Sequence, residues 1–262
     1  MISMRKEVNQ FSDSMIFEGM TSIRAILHAK EAGIHNRPIY KILFDSEKGE
    51  KLNKDLRYLQ AMGSKYGFPV EAVSSAVIDE IAIGNTHGGL IAICGERVFP
   101  QLFETSNSLL CQGFYALIEG IEDPYNFGYA IRSLYACGVD GIILTERNWM
   151  SAAGVVARSS AGASELLPFY VANPSDAIDF FHNKNYLVVA ADLRTEHVLG
   201  QTEIAKPVLL VAGGEKRGIS RSVLDKADLL VKIPYGRDFH ASLSAASAVT
   251  MFAYEIMRQN QK

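Results

Sequence analysis

Three segments of this chain place glycines and polar side chains directly after an apolar run, the position at which open α/β sheets bind ligands. The first is Glu122-Asp123-Pro124-Tyr125-Asn126-Phe127-Gly128-Tyr129-Ala130-Ile131-Arg132. A strand is expected to end there in a proline turn, with a helix beginning near Asn126. Asn126 and Arg132 share no single helical turn, yet both can face the strand ends if Asn126 belongs to the loop. Taken alone, the segment reads more simply as a capped helix with one solvated arginine.

The second segment runs Leu209-Leu210-Val211-Ala212-Gly213-Gly214-Glu215-Lys216-Arg217-Gly218-Ile219-Ser220. It lacks the spacing of both the dinucleotide fingerprint and the phosphate loop. Its glycines would let a backbone approach a small cofactor with amides as donors, or would simply make a tight strand-to-helix turn. The third segment joins Ile233-Pro234-Tyr235 through Gly236 to Ala241 to a run of Ser242, Leu243, Ser244, Ala245, Ala246, Ser247 and Ala248. Such small residues let a helix pack closely, more often on another helix or subunit than on a cofactor. His240 is a conceivable base, but a lone histidine in a polar loop is more often solvent-facing, and no acidic partner is identifiable.

The elements that must hold these segments alternate along the chain. Apolar spacing predicts helices at Glu18 to Ala32, Asn53 to Tyr66 (stopped by Gly67) and Ala76 to Ile83, with strands at Ile39 to Phe44, Val70 to Val73 and Leu90 to Cys94. Pro100 to Cys111 is polar and irregular and reads as a linker. Beyond it come strands at Phe114 to Glu119, Gly141 to Leu144, Phe169 to Val171, Tyr186 to Ala191, Val208 to Ala212 and Leu229 to Ile233. Helices are expected at Phe127 to Cys137, Ala152 to Ala163, Ala177 to Phe181, Arg221 to Ala227 and Leu243 to Arg258. This alternation predicts an α/β fold with a mostly parallel sheet covered on both faces, preceded by a small N-terminal α/β domain. Domain limits of 1–105 and 106–262 follow.

Composition narrows the function classes. The 262 residues exceed one average domain, and no apolar run reaches the roughly 20 residues that span a bilayer. Met1 to Ser14 carries Arg5, Lys6, Glu7 and Asp13 without an apolar core, which is wrong for a secretory signal. A cytoplasmic address without membrane partners is expected. Cys94, Cys111 and Cys137 form no close pair, so neither a disulfide framework nor a zinc site is suggested, and they read as buried thiols. A formal charge of −3 requires any nucleic-acid surface to concentrate its cations locally, and a second subunit could help supply them.

The ordered triplet D-P-x-N-x-G-x-x-x-R, G-x-E-x-x-G, then I-P-x followed by S-L-x and small residues resembles the three signature motifs of SpoU-type (TrmH-like) RNA methyltransferases. Each is weak alone, and the order makes them specific. The resemblance covers about Gly113 to Gln259, and Ser160-Ala161-Gly162-Ala163-Ser164-Glu165 matches the family's central helix ending. More loosely, Glu18-Gly19 and Thr86-His87-Gly88-Gly89-Leu90 resemble the family's ribosomal-protein-like substrate-binding domain. The resemblance implies a C-terminal trefoil knot holding S-adenosylmethionine in a bent shape, a homodimer through the knot, and 2′-O-ribose methylation of RNA, ribosomal rather than transfer. Carried over residue by residue, Gly213, Ile233, Leu243 and, more weakly, Ala191 would contact the cofactor. Asn126, Arg132, Glu215 and Ser242 would form the reaction site, together with Ser244, where the family usually has Asn.

Family accounts make the motif-one arginine, here Arg132, the base. Removing a proton from a guanidinium at pH 7 would cost roughly 8 kcal/mol. A charged Arg132 that clamps a phosphate and stabilises the developing alkoxide is the cheaper role, with Asn126 and Glu215 holding it and the cofactor in place. Two other readings stand beside this one. Ser244 suits a paralogue that binds RNA and cofactor without transfer, and a dinucleotide enzyme would need a glycine fingerprint where Asp123-Pro124 stands.

Overall fold

The computed structural model describes residues 15–105, 109–145, 152–214 and 218–261. It divides into two compact units, one formed by Met1–Val98 with Asn148–Leu166, the other by Phe99–Arg147 with Leu167–Lys262. The border therefore falls at Val98/Phe99, and a later stretch returns to the first unit, which a reading by linear order does not foresee.

In the first unit, strands β1 (Ile16–Glu18), β2 (Ile39–Asp45), β3 (Val70–Val73) and β4 (Leu90–Cys94) form a sheet of order β1-β4-β2-β3. Only β2 and β3 run parallel. Helices α1 (Gly19–Glu31), α2 (Gly49–Tyr66) and α3 (Ser75–Ile81) surround it, joined by α5 (Ala153–Ser159) and α6 (Ala163–Leu166). Phe17, Ile23, Ile26, Leu27, Ile42, Leu59, Leu90, Ala92 and Ala157 make one continuous core.

Several boundaries differ from expectation. Helix α2 starts at Gly49 rather than Asn53, because a short 3-10 turn capped by the Asp45 carboxylate leads into it. It ends as expected at Gly67, in the left-handed region at φ +78°. The helix expected from Ala152 to Ala163 breaks into α5 and α6, because Ala161 (φ +53°) and Gly162 (φ +86°) leave the helical region.

The second unit is a six-stranded sheet of order β10-β8-β9-β5-β6-β7, every pairing parallel. Its strands are β5 (Phe114–Glu119), β6 (Gly141–Leu144), β7 (Phe169–Val171), β8 (Leu187–Ala191), β9 (Val208–Gly213) and β10 (Leu229–Val231). Strands β5, β6 and β9 are buried almost throughout, which explains their unbroken apolar runs. Tyr115, Leu117, Ile143, Val188, Ala190, Leu209 and Val211 meet Ile178 and Phe181 of α7 (Pro174–His182) on one face. Helices α4 (Pro124–Ala136), α8 (Arg221–Leu224) and α9 (Ala245–Asn260) complete the unit, and α9 packs on α4.

Two starts matter for the site. Asp123 caps α4 by accepting from the Asn126 amide, so Asn126 lies in the first helical turn and not in the loop. Helix α9 begins at Ala245, capped by Ser244, whose hydroxyl accepts from the Ser247 amide. Ser242 and Leu243 thus precede the helix. Of the cysteines, Cys94 is buried, but Cys111 is exposed and Cys137 half-buried. Among the described residues no helix is long and apolar enough to cross a membrane, and no cluster of side chains suits a metal ion.

Candidate active site

A cavity of about 420 Å³ opens at the C-terminal ends of β8, β9 and β10, within the size range of small-ligand sites. Its inner wall is apolar, formed by Leu210, Leu224, Val231, Val249 and Phe252. Ala191, Gly213, Ile233, Ser242 and Leu243 all line it, so residues more than fifty positions apart in sequence converge on one space.

Local geometry explains the convergence. The Gly214 amide donates to the Glu119 carbonyl at 2.7 Å, and the Gly218 amide to the Gly214 carbonyl at 2.9 Å, closing the loop after β9 on itself. A Cβ at Gly214 would lie 1.8 Å from the Gly120 oxygen, and one at Gly213 would lie 2.3 Å from the Gly218 carbonyl carbon. Both glycines are therefore required by backbone packing against backbone, the tight-turn alternative, while the same loop still forms a cavity wall. The Leu243 amide donates to the Tyr235 hydroxyl at 3.3 Å, tying together two residues that line the cavity.

Asn126 and Arg132 sit on α4 outside this lining, Asn126 half-buried and Arg132 exposed. Glu215 lies outside the described residues. Ser244 serves as the α9 cap, its hydroxyl also 2.9 Å from that of Ser247. His240 is fully open to solvent, 3.8 Å from an equally open Asp238, as expected for a loop histidine.

Sequence reasoning passed over three charged cavity residues, Asp192, Arg194 and Lys232. Asp192 follows directly on the apolar β8, an acidic residue at a strand's C-terminal end, and that position was the available signal. In the first unit, Glu18, Gly19, Thr86, His87 and Gly88 line a second cavity of about 430 Å³. Glu18 is buried there, accepting from the Ile83 and Gly84 amides and paired with Arg158.

Comparison with known proteins agrees with this architecture. The profile of the SpoU rRNA Methylase family matches residues 113–254. A Staphylococcus aureus (strain MSSA476) protein assigned to the TrmH family of tRNA/rRNA methyltransferases is 30% identical over 234 residues, covering 88% of this chain and 92% of that protein. The 23S rRNA (guanosine-2'-O-)-methyltransferase RlmB of Shewanella oneidensis is 27% identical over 245 residues, 90% of this chain and 96% of its own length. The AdoMet-bound rRNA methyltransferase from Sinorhizobium meliloti superposes with a TM-score of 0.76 at 22% identity, over 95% of this chain and 88% of that one, and so shares the fold. With residues of its second and third motif segments lining one cavity and the family profile spanning more than half of its length, the chain belongs to the SpoU rRNA methylase family.

Proposed function

We propose that this chain is an RNA 2′-O-ribose methyltransferase that takes its methyl group from S-adenosylmethionine. The observation that carries the reading is the convergence of Ala191, Gly213, Ile233, Ser242 and Leu243 on one cavity. Its apolar depth suits an adenine, and the backbone amides, Arg194 and Lys232 at its rim suit a polar tail. When bound, S-adenosylmethionine supplies an electrophilic methyl group on a sulfonium centre.

Ala191, Gly213, Ile233 and Leu243 hold the cofactor, and Ser242 lies at the cavity rim. Arg132 does not line the cavity, so its part is with the RNA: a fixed cation that grips a phosphate and stabilises the ribose oxygen as it loses its proton. Asn126 and Glu215 serve as positioning residues. Ser244 sets the start of α9.

The finer parts of the reading have their own supports. A trefoil knot is supported by the loop 192–207. Its first part pairs with Lys232 through His197 and Leu199, and its second part is tied to α9 by Gln259 and Asn260. A homodimer is supported by the exposed Tyr125, Tyr129, Met251 and Tyr254 on α4 and α9, aromatic and methionine side chains of the kind that interfaces collect. The first unit serves RNA recognition and the second methyl transfer, with ribosomal RNA favoured over transfer RNA. The protein is placed in the cytoplasm.

Incubation with radiolabelled S-adenosylmethionine and bulk ribosomal or transfer RNA tests the reading. Label is expected in ribosomal RNA at ribose 2′ positions. Binding of both partners with no transfer of label would overturn it in favour of a binding protein.

A further inference from the structure

Among the described residues three charged side chains line the cavity, and two of them form one rigid unit. Asp192 Oδ1 accepts from the Arg194 backbone amide at 2.7 Å and from Nε at 3.1 Å, while Oδ2 accepts from Nη2 at 2.8 Å. The Asp192 amide is in turn fixed by the Val231 carbonyl at 3.2 Å, so the carboxylate is anchored between the ends of β8 and β10. Its side chain is only 9% exposed, whereas that of Arg194 is 70% exposed. An ionised carboxylate offers about four acceptor sites, and these bonds occupy three. Arg194 holds the carboxyl below its ordinary range, outweighing the opposing effect of burial, so Asp192 remains an acceptor at neutral pH.

What donor fits the remaining site follows from the neighbours. Among the described residues, Asp192 is set against Arg194 and Lys232, so this part of the charged lining carries a net positive charge. An ammonium group is disfavoured beside it, and a carboxylate is better served by Lys232 and Arg194 than by Asp192. A neutral hydroxyl donor meets no such penalty. An acidic residue at the C-terminal end of a parallel strand is also where dinucleotide folds read a ribose hydroxyl. We propose that Asp192, oriented by Arg194, accepts a hydrogen bond from a ribose hydroxyl of the adenosyl group and so selects the nucleoside half of the cofactor. This inference rests on the cofactor reading of the cavity.

Calorimetric titration of the full chain with S-adenosylhomocysteine and with 5′-methylthioadenosine, which keeps the nucleoside but lacks the amino acid, tests it. Asp192→Asn and Asp192→Ala are each expected to weaken both ligands by about tenfold, the scale of one charge-assisted hydrogen bond. For the unaltered protein, either the 2′-deoxy or the 3′-deoxy form of 5′-methylthioadenosine should bind about tenfold more weakly than its parent. That penalty should vanish in Asp192→Asn. Loss confined to S-adenosylhomocysteine would assign Asp192 to the amino-acid end and overturn the proposal, as would unchanged affinities. Should the variants fail to fold, the deoxy series on the unaltered protein decides alone, and equal binding of both deoxy forms and the parent overturns the proposal. Failure of the unaltered protein to bind S-adenosylhomocysteine would remove the cofactor reading itself, and this proposal with it.

Discussion

Thr250 Oγ1 lies 2.6 Å from Ser133 Oγ, hydrogen bonding α9 to α4 one residue beyond Arg132. The helix that follows Ser242 and Leu243 therefore also fixes the helix that presents Arg132. The cavity walls come from the ends of β8, β9 and β10 and from α8 and α9, whereas the exposed Arg132 stands on α4. Arg132→Ala is accordingly predicted to abolish methyl transfer while leaving S-adenosylhomocysteine affinity within about twofold, since a side chain outside the lining makes no ground-state contact there. Calorimetry beside a transfer assay checks this. Equal loss of both would make Arg132 a structural residue.

The first unit contains a buried ionic cluster that gives its stability a defined pH dependence. Arg37 Nε donates to Glu165 Oε2 at 2.9 Å and Arg37 Nη1 to the Gly95 carbonyl at 2.8 Å, while Arg97 Nη1 donates to the Ser164 carbonyl at 2.8 Å. His35 Nε2 lies 3.1 Å from Glu165 Oε2. Burial alone would raise the Glu165 carboxyl. Arg37, His35 and Arg97 together overcome it and hold the carboxyl at about 2, below its ordinary 4.5. A depressed folded-state value means the stabilisation is complete above about pH 4.5 and is lost as pH falls toward 2. Glu165→Gln is predicted to cost about 3–5 kcal/mol at pH 7, because Arg37 is left buried and unpaired. Urea unfolding followed from pH 7 to pH 3 should show wild type and variant converging; a constant gap would refute the assignment.

How much of this was legible in sequence depends on what each residue advertises. Gly67 announces the end of α2, because left-handed backbone suits glycine, and the apolar runs of β5, β6 and β9 announce a sheet buried on both faces. Ala161 gives no such notice: an alanine at φ +53° is held by its surroundings, so the break between α5 and α6 could not be read from propensity. Nor could the return of 153–166 to the first unit, which depends on pairings such as Arg37 with Glu165, 128 positions apart. In the site, the resemblance to the family, carried by the order of three motifs that are weak alone, leads to Gly213, Ile233 and Leu243, which line the cavity. Asp192 belongs to no motif, its one sequence signal being its place directly after the apolar β8, and the pairing of β8 with β10 brings it beside Val231 and Lys232.

The glycines of the loop after β9 should respond unequally to substitution. A Cβ on Gly214 would meet the Gly120 carbonyl oxygen, which is backbone and cannot step aside. Gly218 has φ +62° but open space around its added Cβ. Gly214→Ala is predicted to cost about 3 kcal/mol by overpacking and to weaken S-adenosylhomocysteine binding, because Gly214 lines the cavity. Gly218→Ala should cost only about 1–2 kcal/mol, the left-handed penalty. Chemical denaturation of the two variants side by side checks the order, and a larger loss at Gly218 would contradict it.

Ser244 offers the sharpest separation between a working enzyme and a binding protein. Its hydroxyl caps α9 by accepting from the Ser247 amide at 3.1 Å, leaving the capping of a 16-residue helix to this side chain. Alanine removes the cap and is predicted to cost about 1 kcal/mol, whereas asparagine is as good a cap as serine and should leave stability nearly unchanged. Asparagine also adds an amide with one acceptor and two donors, beside Ser242 and Leu243, both of which line the cavity. Ser244→Asn is predicted to alter the transfer rate by less than about threefold, within ordinary variation for a residue that makes no transition-state contact. A rise of a hundredfold or more from an almost inactive wild type would show that serine at this position suppresses transfer. The measurement is single-turnover transfer to ribosomal RNA, with thermal unfolding run in parallel, so that a stability change cannot pass for a catalytic one.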